Sequence, residues 1–408
     1  MNARLPQSWN AVVHELREVF RDPRLLAWAL FIILFPFYVV PSGLPQPAAW
    51  LLIAVAPSMF GGWDGRFSRD SAAVLRALLR FVLYVIAANV VWSFVLLKLT
   101  INLKEGFLLS PLFYVYNAGL LLAMLVLYRR YGTRLLWVTT RALFVSVGIQ
   151  VAMSFVMPTR LRNAVGFNEA NQLGYYALVS ACVWLLAQRR TRLSNVHVTI
   201  GVLMCSYLAL LSASKAAVAC IGLLAVAVLV GRLRTMLLLG VVMLVLVFTP
   251  NPFSAAIERA QRRFETDQHL GFFEERGYDR IVNHPEYWAV GSGEGAYSRF
   301  ADTTLIGSHE LHSSLGTLFF CYGIVGLSLF VWFMWTVMKR TRFHTWLVMG
   351  PAFAYGMTHQ GLRFSLFWVL IGVVMILRED DRLASNARPV SPPTPSTPAG
   401  PPAPVRGA

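Results

Sequence analysis

The sequence predicts an all-α polytopic membrane protein, and three observations support this fold class. Of the 408 residues, 56% are hydrophobic and only 14% are charged, whereas soluble proteins carry about 25% charged residues. Apolar runs close to the length of a bilayer-spanning helix recur along the chain. Lys and Arg residues concentrate in alternate connections between these runs, as they do in loops on the cytoplasmic side. We expect about twelve transmembrane helices and one long, partly helical loop on the outer side between helices 9 and 10.

The first predicted element is an amphipathic cytoplasmic segment, residues 1–24. Its stretch SWNAVVHELREVF places apolar side chains, including Trp9, Val13 and Phe20, on one helical face. Such a helix lies in the membrane interface. Because no small-residue cleavage site follows the first apolar run, we expect no cleavable signal peptide.

Twelve apolar runs form the predicted spans, nine within residues 25–249 and three within residues 313–377. They cover residues 25–41, 47–62, 80–98, 111–128, 135–157, 172–187, 196–212, 216–231, 235–249, 313–337, 345–361 and 363–377. The long loop, residues 250–312, is predicted to form a small periplasmic subdomain. Residues 378–408 end in a segment rich in Pro, Ser and Ala that cannot build a core, so we expect a disordered cytoplasmic tail.

The net charge of +16 does not indicate nucleic-acid binding. Most of the 36 Lys and Arg residues fall in the predicted cytoplasmic segments, so the excess charge indicates membrane orientation. Both termini are therefore predicted to face the cytoplasm, with the lipid bilayer and no nucleic acid as partner. The four Cys residues all lie within apolar runs, which predicts small buried side chains and neither a disulfide framework nor a zinc site.

Three basic residues on the predicted outer side are candidates for binding an anion. Lys215 lies at a turn between two apolar runs, where a charge is costly unless it has a partner or a task. Arg276 and Arg280 are four residues apart and would share one helical face. The repulsion between them is relieved either by Glu275 or Asp279, or by a shared anion such as a phosphate, which guanidinium groups bind bidentately.

Two histidines, His309 and His312, precede the tenth predicted span. The motif HELH lacks a further ligand at suitable spacing, so we expect no metal. His312 lies where the chain re-enters the membrane, and a neutral histidine there is either a general base or a structural cap of the following helix. The nearby GSGEG, residues 291–295, is predicted to be a tight turn because no strand precedes it, and Glu294 within it is a minor site candidate.

Four stretches resemble the O-antigen ligase and polymerase superfamily of bacterial surface-polysaccharide assembly. GFNEANQLGYYAL, residues 166–178, resembles its Asn-x-x-Gln entry to a membrane helix, and LLSASKAA, residues 210–217, resembles its Ser-Arg turn with Lys in place of Arg. RGYDRIVNHPEYWAVGSGEG, residues 276–295, resembles its arginine segment and Gly-x-Gly turn. HSSLGTLFFCYGIVG, residues 312–326, resembles its His-Asn-Ser helix start with Ser in place of Asn. The resemblance extends over most of the membrane region.

Within this superfamily, the resemblance implies an O-antigen ligase. Such an enzyme transfers O-antigen polysaccharide from undecaprenyl diphosphate to lipid A-core oligosaccharide at the periplasmic face of the bacterial inner membrane. The resemblance implies an inverting reaction without metal or cofactor, with His312 as the base and with Lys215, Arg276 and Arg280 holding the diphosphate. Further residues are expected to line the substrate site: Arg160, Arg162, Asn168, Gln172, His309, His359 and Arg363.

Other functions remain open at the level of the sequence. An O-antigen polymerase or a protein O-oligosaccharyltransferase would use the same donor. A twelve-helix transporter or flippase belongs to a different class. Many such carriers consist of two six-helix halves, often with a longer inner loop between them, whereas the long loop of this chain lies on the predicted outer side.

Overall fold

The computed structural model describes residues 9–41, 44–102, 105–157, 162–229, 249, 252–266 and 271–386. Within these ranges the regular structure is helical and no strand occurs. The α-helices are α1 (Trp9–Arg21), α2 (Pro23–Leu34), α3 (Pro47–Phe60), α4 (Arg69–Val95), α5 (Ser110–Tyr131), α6 (Thr133–Val156), α7 (Ala170–Thr191), α8 (Asn195–Leu211), α9 (Lys215–Leu229), α10 (Pro252–Thr266), α11 (Phe272–Glu275), α12 (Asp279–Asn283), α13 (Ser314–Met338), α14 (Phe343–Tyr355) and α15 (Ser365–Asn386). Short 3-10 helices cover Pro285–Tyr287, Tyr297–Thr303 and Gly361–Arg363.

The protein is an all-α membrane protein. Among the described residues, five helices are long and apolar enough to cross a bilayer: α4, α5, α6, α7 and α13. Helices α2, α3, α8 and α9 are apolar but shorter. All predicted spans except residues 235–249 coincide with a helix of the structure, and that run lies outside the described residues but for Thr249. The number of membrane crossings stays a prediction.

Two helix boundaries differ from the predicted ones because polar residues continue the helix. Helix α4 begins at Arg69 rather than at residue 80, since the Ser68 side chain caps it by accepting a hydrogen bond from the Ser71 N–H. Helix α15 continues to Asn386, so residues 378–386 of the predicted tail are helical. The remainder of the tail, residues 387–408, lies outside the described residues.

Helix α7 lies at the centre of the bundle and packs against α6, α8, α14 and α15. Its side chains are buried almost all round, as expected of a helix enclosed by other helices. Helix α15 packs against α5 and α7, and α13 packs against α4. This arrangement brings the N-terminal ends of α5, α7, α13 and α15 to one end of the bundle.

The opposite end of the bundle, called the basic end below, carries the C-terminal ends of these helices and is held by ion pairs. Asp381 of α15 pairs with Arg190 at 2.8 Å and with Arg342 at 2.9 Å. Arg382 pairs with Asp70 at 3.2 Å. Partly exposed pairs contribute little individually, but together they join α4, α7, α14 and α15. The basic end thus collects the charges that the sequence predicts to face the cytoplasm.

Helix α13 is broken at Gly323, and residues 288–293 insert into the break. Gly323 has φ 63° and ψ −170°, a conformation that is essentially restricted to glycine. The Ser292 N–H donates to the Phe320 carbonyl at 3.0 Å, which satisfies a carbonyl that the break leaves without an intrahelical partner. The GSGEG segment is therefore not the predicted tight turn. It approaches α13 so closely that the backbone carries Glu294 into the interior.

Candidate functional site

A cavity of about 910 Å³ lies at the end of the bundle opposite the basic end. One wall is apolar and consists of side chains from α2, α3 and α5, including Phe31, Trp50 and Leu112. Trp50 is 59% exposed and Leu112 is 54% exposed, so this wall offers apolar surface that is not used for internal packing. The other wall is polar: Arg162, Glu169, Asn171, Gln172, Glu275, Arg276, Glu310, His312, Thr358, His359, Gln360 and Arg363.

Arg276 is fixed on the polar wall by one hydrogen bond of its backbone and one of its side chain. Its carbonyl accepts from the His312 N–H at 3.2 Å, and its Nη1 donates to the Thr358 carbonyl at 3.1 Å. The guanidinium meets Glu275 only at 3.4 Å, and that carboxylate is about half exposed. A partly exposed ion pair of this length compensates the charge weakly, so Arg276 retains the capacity to bind an anion.

Arg162 contributes a second guanidinium to the cavity. Its Nη2 donates to Asn171 Oδ1 at 2.8 Å, which is a neutral acceptor. Arg162 also lines an adjacent cavity of about 570 Å³. Asn168 lies in that adjacent cavity and donates from Nδ2 to the Val40 carbonyl at 2.9 Å. The two cavities share Arg162, Glu169 and Asn171.

Arg363 lies on the same wall, but two carboxylates already compensate its charge. Its Nε donates to Glu294 Oε1 at 3.1 Å, and its Nη1 pairs with Glu310 Oε2 at 2.7 Å. The guanidinium also lies over the Phe113 ring, 5.1 Å from its centroid. Arg363 therefore ties together the loop inserted into α13, the cavity wall and helix α5, and it has less capacity for a further anion than Arg276.

Glu294 is the buried centre of this arrangement. It has no exposed surface and accepts hydrogen bonds from the hydroxyls of Tyr322 at 2.5 Å and Tyr114 at 3.2 Å. Its N–H donates to Asn89 Oδ1 at 3.0 Å. A buried carboxylate persists in a low-dielectric interior only when it is paired and hydrogen-bonded in this way.

His312 presents its side chain to the cavity, where it is exposed. Desolvation by the surrounding protein, together with the charge of Arg276, lowers the pKa of His312 below its ordinary value. Glu310 and Glu169 oppose the shift. At neutral pH the imidazole is consequently uncharged and able to accept a proton. The alternative role as a helix cap does not apply, because Ser313 caps α13 by accepting from the Gly316 N–H at 2.9 Å.

His359 has a structural setting although it lines the same cavity. Its carbonyl accepts from the Ser314 N–H at 3.1 Å and from the Ser314 hydroxyl at 2.9 Å. Its ring lies against those of Tyr175 and Tyr355. Burial, assisted by His312 and Arg276, lowers the pKa of His359 to about 3, so the ring stays neutral.

Two predicted clamp residues do not line the cavity. Arg280 has no exposed surface; its Nη2 donates to the carbonyls of Gly307 at 2.8 Å and His309 at 2.9 Å, and aromatic rings surround its guanidinium. It holds the loop that leads to His312. Lys215 is the first residue of α9 and is exposed, but it lies outside the cavity lining.

The other predicted site residues divide in the same way. Arg162, Gln172, His359 and Arg363 line the cavity together with Arg276 and His312. His309 is exposed and contributes its carbonyl to Arg280. Arg160 lies outside the described residues.

The structure adds polar residues to the site that the sequence reasoning did not assign: Glu169, Asn171, Glu310, Thr358 and Gln360. Glu310 had a local signal, because it lies between two histidines of the motif HELH. Glu169 and Asn171 lie within the quoted Asn-x-x-Gln stretch. Nothing in the local sequence distinguishes Thr358 and Gln360.

Comparison with family models, curated proteins and solved structures finds no match to this chain. Membership of the O-antigen ligase and polymerase superfamily is therefore a proposal. Among the described residues, no group of three or more His, Cys, Asp or Glu side chains is placed to hold a metal ion. The expectation of a metal-independent reaction stays a prediction.

Proposed function

We propose that this protein is an O-antigen ligase, a glycosyltransferase that moves O-antigen polysaccharide from undecaprenyl diphosphate onto lipid A-core oligosaccharide. The observation that carries the proposal is the pairing of an apolar wall with a polar wall in one cavity. A polyprenyl diphosphate donor combines the same two properties, because an apolar tail is joined directly to an anionic head.

The diphosphate is proposed to bind between Arg276 and Arg162. The described partners of the Arg276 guanidinium are Glu275 at 3.4 Å and the Thr358 carbonyl, and that of Arg162 is a neutral amide. Guanidinium groups bind phosphate oxygens bidentately, and each charged hydrogen bond contributes about 1.5–3 kcal/mol. This clamp differs from the one expected from the sequence, because Arg280 is buried and binds the loop before His312, and Lys215 lies outside the cavity lining.

His312 is proposed to act as the general base. It takes the proton of the acceptor hydroxyl, and the hydroxyl oxygen then forms a bond to the anomeric carbon of the donor sugar. The bond from that carbon to the diphosphate breaks, and its electron pair leaves with undecaprenyl diphosphate. The attack comes from the side opposite the leaving group, so the configuration inverts. Arg276 and Arg162 stabilise the charge that develops on the leaving diphosphate.

The orientation of the chain is proposed to place the cavity at the periplasmic face of the inner membrane. The basic end lies on the cytoplasmic side by the positive-inside rule, and the cavity is at the other end of α5, α7, α13 and α15. Glu15 of α1 pairs with Arg134 at 2.8 Å, close to the C-terminus of α5. Both ends of the described chain therefore lie on the proposed cytoplasmic side.

A transfer assay with purified protein in liposomes tests this function. The substrate is a polyprenyl-diphosphate-linked glycan, with a chelator present and with or without lipid A-core oligosaccharide. We expect glycan on lipid A-core in the complete mixture. Longer polyprenyl-linked chains without acceptor would instead identify a polymerase. No transfer in either mixture, with folded protein, would overturn the proposal and favour transport or a protein acceptor.

Two variants test the assigned roles in that assay. His312→Ala should lower the rate by about 10²–10⁴-fold, the usual contribution of a general base. His197→Ala is the matched control, because His197 lies at the start of α8 and outside the cavity lining. Arg276→Ala should weaken donor binding, whereas Arg262→Ala on the exposed face of α10 should not. Normal transfer by His312→Ala would remove the proposed base.

A further inference from the structure

Glu310 and His312 present their side chains to the same cavity, although they are separated by one residue. Both line the cavity, whereas Leu311 between them is 1% exposed and lies in the core. The side chains thus alternate as they do in an extended segment, where residues i and i+2 share one face. At about 3.3 Å of rise per residue, such neighbours are about 6–7 Å apart at their backbones. Glu310 and His312 therefore face the same space, and the Glu310 carboxylate acts on the His312 imidazole through its charge.

The Glu310 carboxylate is held by an ion pair with a residue of another segment, Arg363. Its Oε2 pairs with Arg363 Nη1 at 2.7 Å, and Arg363 is in turn held by Glu294, which has no exposed surface. Glu294 enters the interior only because residues 288–293 insert into the break in α13. A chain of charged groups therefore runs from the broken helix to the cavity wall beside His312.

The groups that face His312 have opposing effects on its protonation. Positive charge nearby disfavours the imidazolium, and carboxylates favour it. The first set is Arg276 and His309, and the second is Glu310 and Glu169. The neutral ring of His359 also faces this space. Glu310 is the member of the second set whose position is fixed by an ion pair to a buried network.

The same molecule contains a Glu and His pair with this spacing. His284 and Glu286 are also two residues apart, and Nδ1 of the histidine lies 2.9 Å from Oε1 of the glutamate. The pair lies outside the cavity lining, and Glu286 is largely exposed. Glu286 lies in the 3-10 helix Pro285–Tyr287, and the pair provides a contact between Glu and His outside the cavity for comparison.

We propose that the Glu310 carboxylate, held by Arg363 on the cavity wall that also carries His312, stabilises the imidazolium formed when His312 takes up a proton. This inference rests on the proposed role of His312 as the base. Arg363 and Glu294 act through Glu310, because they hold its carboxylate in place.

The test is the pH dependence of His312 modification by diethyl pyrocarbonate in the full-length protein, with each histidine resolved by mass spectrometry. The reagent attacks only the neutral ring, so the midpoint reports protonation of His312. Glu310→Gln removes the nearby negative charge and should shift the midpoint down by about one pH unit. Glu310→Asp keeps the charge and should leave the midpoint near that of the unmodified protein, which also shows that the fold tolerates substitution.

Glu286→Gln is the matched control. It removes a carboxylate two residues from a histidine, and it should alter the modification of His284 while the His312 midpoint stays unchanged. An unchanged His312 midpoint in Glu310→Gln would overturn the inference. So would an equal shift in Glu286→Gln, because the effect would then be a general change of charge.

Transfer kinetics give a second, separate readout. The acidic limb of the pH–rate profile should move down with the His312 midpoint in Glu310→Gln, and kcat should fall while KM changes little. The modification experiment needs no substrate, so it tests the effect of Glu310 on His312 independently of the proposed ligase function. A shifted midpoint without any transfer would support the pairing and refute the ligase, whereas transfer with an unshifted midpoint would refute only the pairing.

Discussion

The buried carboxylate of Glu294 provides a stringent test of the architecture around the site. The substitution Glu294→Gln keeps the volume and removes the charge. It replaces the ion pair with Arg363 by a neutral hydrogen bond and places an amide NH2 group, which donates hydrogen bonds, where the hydroxyls of Tyr114 and Tyr322 also donate. We expect the free energy of unfolding to fall, because Arg363 and the tyrosines remain buried with poorer partners.

The magnitude follows from the partners that remain. Removing one member of a buried ion pair costs about 3–5 kcal/mol. Arg363 keeps Glu310 at 2.7 Å, so part of its charge stays compensated. We therefore expect a loss of about 3 kcal/mol, the lower end of that range. The measurement is SDS titration in mixed micelles, followed by circular dichroism and tryptophan fluorescence.

The control removes a carboxylate from an exposed ion pair of the same residue types. Glu258 pairs with Arg262 at 2.5 Å in α10, and the side chains are 63% and 70% exposed. Glu258→Gln should change the free energy of unfolding by less than about 1 kcal/mol. Losses of equal size in the two variants, or no loss in Glu294→Gln, would refute the view that the buried pair supports the site.

Three further predictions follow from other parts of the structure. Gly323→Ala should destabilise by about 1–3 kcal/mol, because a Cβ there would lie 2.3 Å from a backbone oxygen of the inserted loop. Gly119→Ala within α5, where a Cβ meets nothing within 4 Å, should cause no destabilisation in the same titration. Arg276→Ala should weaken binding of a lipid diphosphate by about 10–100-fold, while Arg280→Ala should mainly lower stability; equal loss of binding in both would contradict the assigned roles. His359 has a pKa of about 3 when folded and about 6.5 when unfolded. The unfolded chain therefore binds the extra proton, and stability present above pH 6.5 should decline by up to about 2 kcal/mol between pH 7 and 5, a decline that His359→Phe should reduce.

Hydropathy predicted the helices well because each apolar run must satisfy its backbone internally when it leaves water. The boundaries at polar turns were less predictable. Ser68 caps α4, which therefore starts at Arg69, before its apolar run. Helix α15 continues through charged residues to Asn386, beyond its apolar run. Capping and ion pairs decide these ends, and neither has a hydropathy signal.

The site was predicted in part. Arg276 and His312 are in motifs that indicate their chemistry, and the structure places both on one wall of the cavity. The ion pair that compensates the charge of Arg363 was not predictable, because its partner Glu294 is 69 residues away in sequence. Arg276 and Arg280 are four residues apart and were predicted to share one helical face. In the structure the Arg276 guanidinium faces the cavity, whereas that of Arg280 is buried among aromatic rings.

The sequence by itself determined the helical membrane class, the concentration of basic residues at one end of the bundle and the polar and charged residue types near the other end. These properties depend on composition and local periodicity, which are read along the chain. Only the tertiary structure decided which arginines retain anion-binding capacity and where Glu294 lies. The reason is that charge compensation depends on distances between remote residues, and here those distances are set by a loop that fills the break in α13.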